Sequence, residues 1–96
     1  RKAQVLYCYK NTRKIKEIVR TLSNTRGIDA IIVTPHWGQE YKHKPDSNQK
    51  RFAHEMLEAG ATAIIGAHPH VLQPFEKYVT TDGRETFIIY SLGNFV

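Results

Sequence analysis

Three of the five histidines in this 96-residue chain fall where β-strands should run out. His68 and His70 flank Pro69, just after the apolar run Ala61–Ile65 and Gly66-Ala67. His36 follows Pro35 after the run Ile28–Thr34. Proline fixes its own φ and biases the residue before it toward extended backbone, so the rings of a His-Pro-His step keep a narrow range of orientations. Parallel neighbours lie about 4.8 Å apart and end on the same side of a sheet. If the two runs are adjacent strands, His36, His68 and His70 project together into the crevice beyond the carboxyl edge, where open α/β sheets form their ligand sites. Converging imidazoles repel when protonated and, when neutral, are natural ligands for a borderline transition metal. The chemistry indicated is metal binding by His36, His68 and His70.

The neighbouring residues offer lesser roles. Glu40 can orient a ligand histidine or act as general acid/base. Asp46 is better explained as a helix cap. Trp37 either walls the crevice, against substrate, or is a core aromatic. Asn94 can ligate metal or hydrogen-bond substrate, with turn formation as the plainer role. His54 shares a helix face with Lys50 and Glu58 and reads as solvated, and His43 reads as an exposed loop residue.

Positioning these groups requires an α/β frame with a mostly parallel sheet and helices on one face. Ala3–Tyr9 is rich in β-favouring residues and predicts a strand. Asn11 or Thr12 can cap a helix whose Ile15, Ile18, Val19 and Leu22 recur at helical spacing, with Gly27 as its stop. Ile28–Val33 is apolar on both parities apart from Asp29, as in a strand covered on both faces. Asp46 and Gln49 form a capping-box pattern ahead of a helix that buries Phe52, Ala53, Met56 and Leu57 and ends at Gly60. Strand, helix, strand implies a right-handed crossover between parallel neighbours. Val71–Val79 and Glu85–Ser91 flank Thr81-Asp82-Gly83, a hairpin signal, and Pro74 puts the first of these strands at an edge or makes it start late.

Composition bounds the class. Hydrophobic content of 41% with 24% charged residues suits a folded domain of modest core. A single cysteine, Cys8, excludes an internal disulfide. No run reaches membrane-spanning length, so any anchor is expected outside this chain. The net charge of +5 is segregated: residues 1–26 hold eight of the 14 Lys and Arg, with Glu17 as their one acid. Such a block attracts anionic polymer, membrane or nucleic acid, or is simply a solvated helix face. Apart from Tyr7 and Tyr9, aromatic residues do not interleave it, which weighs against nucleic acid. The close on Phe95-Val96, without a polar tail, reads as a cut through a larger domain, with residues 1–96 as one partial domain.

Several uncommon blocks occur together: His36-Trp37-Gly38-Gln39-Glu40-Tyr41, then Gln49, Ala59-Gly60-Ala61, His68-Pro69-His70-Val71-Leu72-Gln73-Pro74 with Glu76, and Tyr90-Ser91-Leu92-Gly93-Asn94-Phe95-Val96. In this order they resemble the bacterial poly-γ-glutamate capsule biosynthesis family of CapA type, over residues 28–96. That family is similar to the calcineurin-like metallophosphoesterases. The resemblance implies half of a four-layer α/β/β/α domain in which His36, His68 and His70 are the late histidine ligands. It implies Mn, Fe or Zn activating water to hydrolyse a phosphoester or related bond; with Glu40 as the nearby acid, the expected catalytic residues are His36, Glu40 and His68. It also implies a place at the cell surface, extracytoplasmic or membrane-anchored, among other capsule synthesis proteins. Two departures stand out. Ala67 precedes His68, and the early Asp, Asp and Asn-His ligand motifs have no counterpart, since Phe95 follows Gly93-Asn94. Three histidines can hold one ion, whereas a bridged pair needs carboxylates.

Two functions follow as expectations. One is a metal-dependent hydrolase in capsule polymer synthesis, with this chain supplying part of the centre. The other is a non-catalytic component that binds anionic polymer or assembly partners. A lone mononuclear His₃ zinc hydrolase is a third, weaker fit. The sheet face opposite the helices should expose apolar surface and favour self-association unless it is covered.

Overall fold

The computed structural model describes residues 6–37, 45–67 and 72–92. Its first element is α1, Thr12–Ser23. Of the apolar stripe, Val19 is buried and Ile15 half-buried, while Ile18 and Leu22 lie at an exposed rim. The strand expected over Ala3–Tyr9 is not formed in its described part. The Tyr7 amide donates to Asn11 Oδ1 (2.8 Å), and the Tyr7 carbonyl accepts from the Asn11 amide (2.8 Å). Both backbone groups of Tyr7 are thus used in a local turn, and neither is left for a ladder. Asn11 therefore precedes α1 without capping it through its side chain.

The end of α1 also differs from expectation, since it stops before Gly27. Ser23 Oγ donates to the Arg20 carbonyl (2.8 Å), Asn24 Nδ2 to the same carbonyl (3.0 Å) and Thr25 Oγ1 to that of Thr21 (2.7 Å). These polar side chains take the last carbonyls of the helix. Gly27, at φ 91°, serves the loop that follows.

Strand β1 is reduced to Ile32–Val33. Just ahead of it, the Ile31 amide bonds the Thr62 hydroxyl (3.2 Å) rather than a ladder carbonyl, so regular pairing starts late. Helix α2, Ser47–Ala59, begins with the expected capping box: the Gln49 amide donates to Asp46 Oδ1 (2.8 Å), and the Asp46 amide to Gln49 Oε1 (2.9 Å). Phe52, Ala53, Met56 and Leu57 are all buried, and Gly60 ends the helix at φ 133°. Arg84 secures that end by donating to the carbonyls of Leu57 (2.7 Å) and Ala61 (3.2 Å).

Strands β2 (Ala63–Ile65), β3 (Leu72–Val79) and β4 (Glu85–Leu92) complete a sheet of order β1-β2-β4-β3. The pairs β1–β2 and β2–β4 are parallel, while β3 is an antiparallel edge strand carrying Pro74, as expected. Val33, Ile64 and Ile88 share one register row, and the core gathers them with Val19, Phe52, Met56 and Leu57 beneath α1 and α2. The adjacent row holds Ile32, Ala63 and Phe87 on the other face. That face carries Ile32, Phe75, Val79 and Phe87, all exposed, with the Phe75 and Phe87 rings 6.2 Å apart. The expectation that the first parallel strand is covered on both faces is not met in the described residues, because both helices lie on one side.

Candidate functional site

The carboxyl edge of the parallel strands is where the histidine argument is tested. Beyond β1 and β2 the two chains stay side by side: an isolated parallel bridge pairs His36 with Ala67. The Ala67 amide donates to the Pro35 carbonyl (2.8 Å), and the Trp37 amide to the Ala67 carbonyl (3.3 Å). The backbone of His36 therefore runs beside the residue that immediately precedes His68, although the two lie some thirty positions apart in sequence. His36 itself is exposed at this edge. His68 and His70 lie outside the described residues, as do His43, Glu40 and Asn94.

Trp37 fixes this arrangement. Of its two expected placements, the core one is observed: the residue is 4% exposed, which leaves no indole surface for substrate. Its Nε1–H donates to the Tyr90 carbonyl (2.8 Å), its ring stacks on Tyr90 at 5.9 Å, and Phe52 meets it edge-on at 5.8 Å. Gly66 makes room for this. A Cβ at position 66 would run into Trp37 Nε1 and the Tyr90 carbonyl oxygen. The indole thus ties the chain leaving β1 to the end of β4, across β2.

Behind Tyr90 lies a polar network that residue patterning missed. The Tyr90 hydroxyl donates to Glu76 Oε1 (2.6 Å), and His54 Nε2 pairs with Glu76 Oε2 (3.0 Å). His54 also stacks on Tyr78 at 4.3 Å, and Tyr78 donates to Glu58 (2.8 Å). His54 is therefore not a solvated surface residue. It sits part-buried between α2 and β3, because Glu76 and Tyr78 point to the helix-covered side of the edge strand. The Glu76 carboxyl is pushed up by burial, but the bonds from Tyr90 and His54 outweigh this and hold it below the usual range. Burial and the Glu76 charge both raise the Tyr90 phenol. The i, i+2 alternation of Glu76 and Tyr78 along an edge strand was the available signal.

Beside His36 a hollow of about 550 Å³ is lined by Tyr7, Cys8, Ile15, Val33, Pro35 and Phe52 among others. Burial pushes the Cys8 thiol up, so it stays neutral and is a poor nucleophile. Burial likewise raises the Tyr9 phenol to about 12. Among the described residues no three His, Cys, Asp or Glu side chains cluster as a metal site, and His36 is the one expected ligand described. Three imidazoles, if His36, His68 and His70 converged as expected, would suit Zn or Fe, which take neutral imidazole. No described helix is long and apolar enough to cross a membrane.

Comparison with known proteins adds to the geometry. The family model described as bacterial capsule synthesis protein PGA_cap matches residues 2–96. A capsule biosynthesis protein CapA of Bacillus anthracis is 43% identical over 83 residues, covering 85% of this chain and 19% of that protein. A PGA biosynthesis protein CapA of Bacillus subtilis is 50% identical over 68 residues, covering 71% of this chain and 17% of that protein. A probable polyglutamine synthesis accessory protein of Mycobacterium tuberculosis is 30% identical over 77 residues, or 80% of this chain and 19% of that protein. The chain thus spans less than a fifth of the length of these curated relatives.

Proposed function

The chain belongs to the bacterial capsule synthesis protein family PGA_cap, and from that membership we propose that it serves capsule polymer synthesis as part of a metal-dependent hydrolase. In this reading His36, His68 and His70 hold a divalent ion, Mn, Fe or Zn. Glu40 acts as general acid/base, and Asn94 hydrogen-bonds the substrate. The ion, when bound, supplies Lewis acidity for hydrolysis of a phosphoester or related bond. The observation that carries the reading is the parallel pairing of His36 with Ala67, which sets the backbone of one expected ligand beside the approach to the other two. Trp37, anchored on Tyr90, keeps that pairing from drifting. The parent protein works at the cell surface, with other capsule synthesis proteins as partners.

A second reading, a non-catalytic component that binds anionic polymer, is favoured by the basic block of residues 1–26. The test uses the full-length protein. Calorimetric titration with Zn²⁺ and Mn²⁺, and turnover of a generic phosphodiester, are compared for wild type, His36→Ala and His68→Ala. The hydrolase reading expects both variants to lose metal affinity and turnover together. Metal binding and turnover unchanged in either variant would refute the ligand assignment, and polymer binding without any turnover would favour the second reading.

A further inference from the structure

We infer that Glu76 and His54 are positioning residues for the His36 edge, acting on it from across the sheet through Tyr90 and Trp37. Strand alternation brings the parts together. Glu76 pairs with Ile88 across β3 and β4, and Ile88 is wholly buried beneath the helices, so Glu76 and Tyr90 share the helix-covered side. Tyr90 is the diagonal neighbour of Glu76, at a spacing of roughly 7–8 Å that long side chains span. The phenol closes that gap with its 2.6 Å bond to Glu76 Oε1, and His54 reaches the other carboxylate oxygen from α2 at 3.0 Å. Tyr78 lies flat against the His54 ring, 4.3 Å away with 15° between the planes.

The same phenol ring supports the indole. Trp37 stacks on it at 5.9 Å with 20° between the planes and bonds the Tyr90 carbonyl. The Trp37 amide in turn bonds the Ala67 carbonyl, beside the bridge between Ala67 and His36. A continuous set of contacts therefore joins α2 and edge strand β3 to the point where β1 and β2 run out. Ladder pairing alone defines that point weakly, since β1 is two residues long and the His36 bridge is isolated.

Stability alone does not call for this polar set. Tyr90 is 2% exposed, and an apolar ring in its place would pack with no hydroxyl to desolvate. What the polar set adds is direction. Among the described residues no buried side-chain nitrogen or oxygen lacks a partner, and a fully satisfied network holds each ring in one orientation. Without the bond to Glu76, packing alone fixes the tilt of the Tyr90 ring, and the indole lying on it loses a rigid seat. That the edge so positioned carries metal rests on the hydrolase reading; that it is held from Glu76 does not.

The test uses the full-length protein, first metal-free and then titrated with Zn²⁺. Hydrogen exchange is followed by mass spectrometry in the peptides spanning residues 32–37 and 63–67, with α1 as internal reference. Tyr90→Phe keeps the stacked ring and removes only the hydroxyl, while Glu76→Ala removes the acceptor. Glu76→Gln is the rescue, because its amide oxygen accepts from Tyr90 and its amide nitrogen donates to a neutral His54. Tyr90→Phe, Glu76→Ala and His54→Ala should each speed exchange at the edge by about two- to thirtyfold while leaving α1 as in wild type. Zn²⁺ affinity should fall by a similar factor, and Glu76→Gln should restore both. Unchanged exchange at the edge overturns the inference. Exchange that quickens equally in α1 also overturns it, as the mark of lost stability alone. So does a looser edge with unchanged Zn²⁺ affinity where His36→Ala abolishes binding. If His36→Ala leaves Zn²⁺ binding and turnover intact while Tyr90→Phe loosens the edge, the positioning stands and the hydrolase reading falls. If His36→Ala abolishes both and Tyr90→Phe alters neither edge nor affinity, the reading stands and the positioning falls.

Discussion

Replacing Gly66 with alanine should break the device that aligns the carboxyl edge. The glycine is buried, and its amide donates to the Ile89 carbonyl (2.7 Å), so the backbone cannot retreat without opening the β2–β4 pairing. The added methyl would overlap Trp37 Nε1 and the Tyr90 oxygen and stand 2.9 Å from Trp37 Cε2. Overpacking of this kind costs roughly 1–3 kcal/mol. Displacing the indole also breaks its 2.8 Å bond to Tyr90 and leaves a buried donor and acceptor unpaired, adding about 1–3 kcal/mol. The expected total is roughly 2–6 kcal/mol, measured as the shift in urea unfolding of the full-length protein by circular dichroism. Two comparisons isolate the cause. Gly83→Ala, at φ 89° with no atom near its added carbon, should cost only the left-handed backbone penalty of about 1–2 kcal/mol. Trp37→Phe shortens the clashing ring, so Gly66→Ala should cost less in that background, with a coupling of about 0.5–3 kcal/mol. A Gly66→Ala protein within about 0.5 kcal/mol of wild type, or strictly additive with Trp37→Phe, refutes the clamp.

Four further outcomes follow from the same structure. Arg84→Met keeps the aliphatic stem but leaves the Leu57 and Ala61 carbonyls without their charged donor; thermal unfolding should register a loss of about 2 kcal/mol, and no change would remove the cap from the account. Because the folded Glu76 carboxyl titrates below its ordinary value, its contribution is present above that value and disappears as pH falls through the folded pKa; Glu76→Gln should flatten the acid limb of a stability–pH curve. Tyr90 is raised instead, so its contribution fades as pH climbs past the ordinary phenol range, and Tyr90→Phe should flatten the alkaline limb; limbs that keep their shape in both variants contradict the network. The face bearing Ile32, Phe75, Val79 and Phe87 should make an isolated 1–96 chain self-associate and bind an exposed-apolar dye, and a clean monomer without dye binding in sedimentation contradicts that.

The sequence was most legible where a local rule and a burial pattern agreed. The capping box of Asp46 and Gln49, the Phe52–Leu57 stripe and the hairpin around Gly83 are each encoded within a few residues, and all are realised. It misled at the amino-terminal side. β-favouring residues at 6–9 have no strand partner among the described residues, and Asn11 captures their backbone instead. Helix propensity could not anticipate that Ser23, Asn24 and Thr25 would turn back on α1 before Gly27. At the site, pattern alone placed the backbone of His36 beside the chain leading to His68. It left Trp37 between two placements and misassigned His54, because the partners of both, Tyr90 and Glu76, are contributed by strands whose register is set by the hairpin and not by anything near residues 37 or 54.

The acidic residues sharpen what the histidines imply. Asp46 caps α2, Glu58 accepts from Tyr78 and the Thr81 amide, Glu76 from Tyr90 and His54, Asp82 from Thr80 and Arg84, and Glu85 pairs with Lys77. Asp29 lies with Glu58 and Asp82 around a hollow whose other walls include Ser23, Gly60 and Thr62, at the amino-terminal edge of the parallel strands. Glu17 belongs to the outer hollow of α1, and Glu55 lines a hollow beside Tyr9 and Arg51. None of these described carboxylates joins His36 in a cluster of three metal-ligating side chains. Imidazoles alone make a neutral ligand set that suits one divalent ion, whereas bridging two requires anionic oxygens to offset their repulsion. Under the proposed reading, Glu40 is the one acid of this chain left to serve there, and further carboxylates of a paired centre would be contributed from outside it. Metal titration of Glu40→Gln in the full-length protein separates the cases. A lost equivalent of metal would make Glu40 a ligand, whereas retained metal with a displaced pH–rate profile would make it the acid/base.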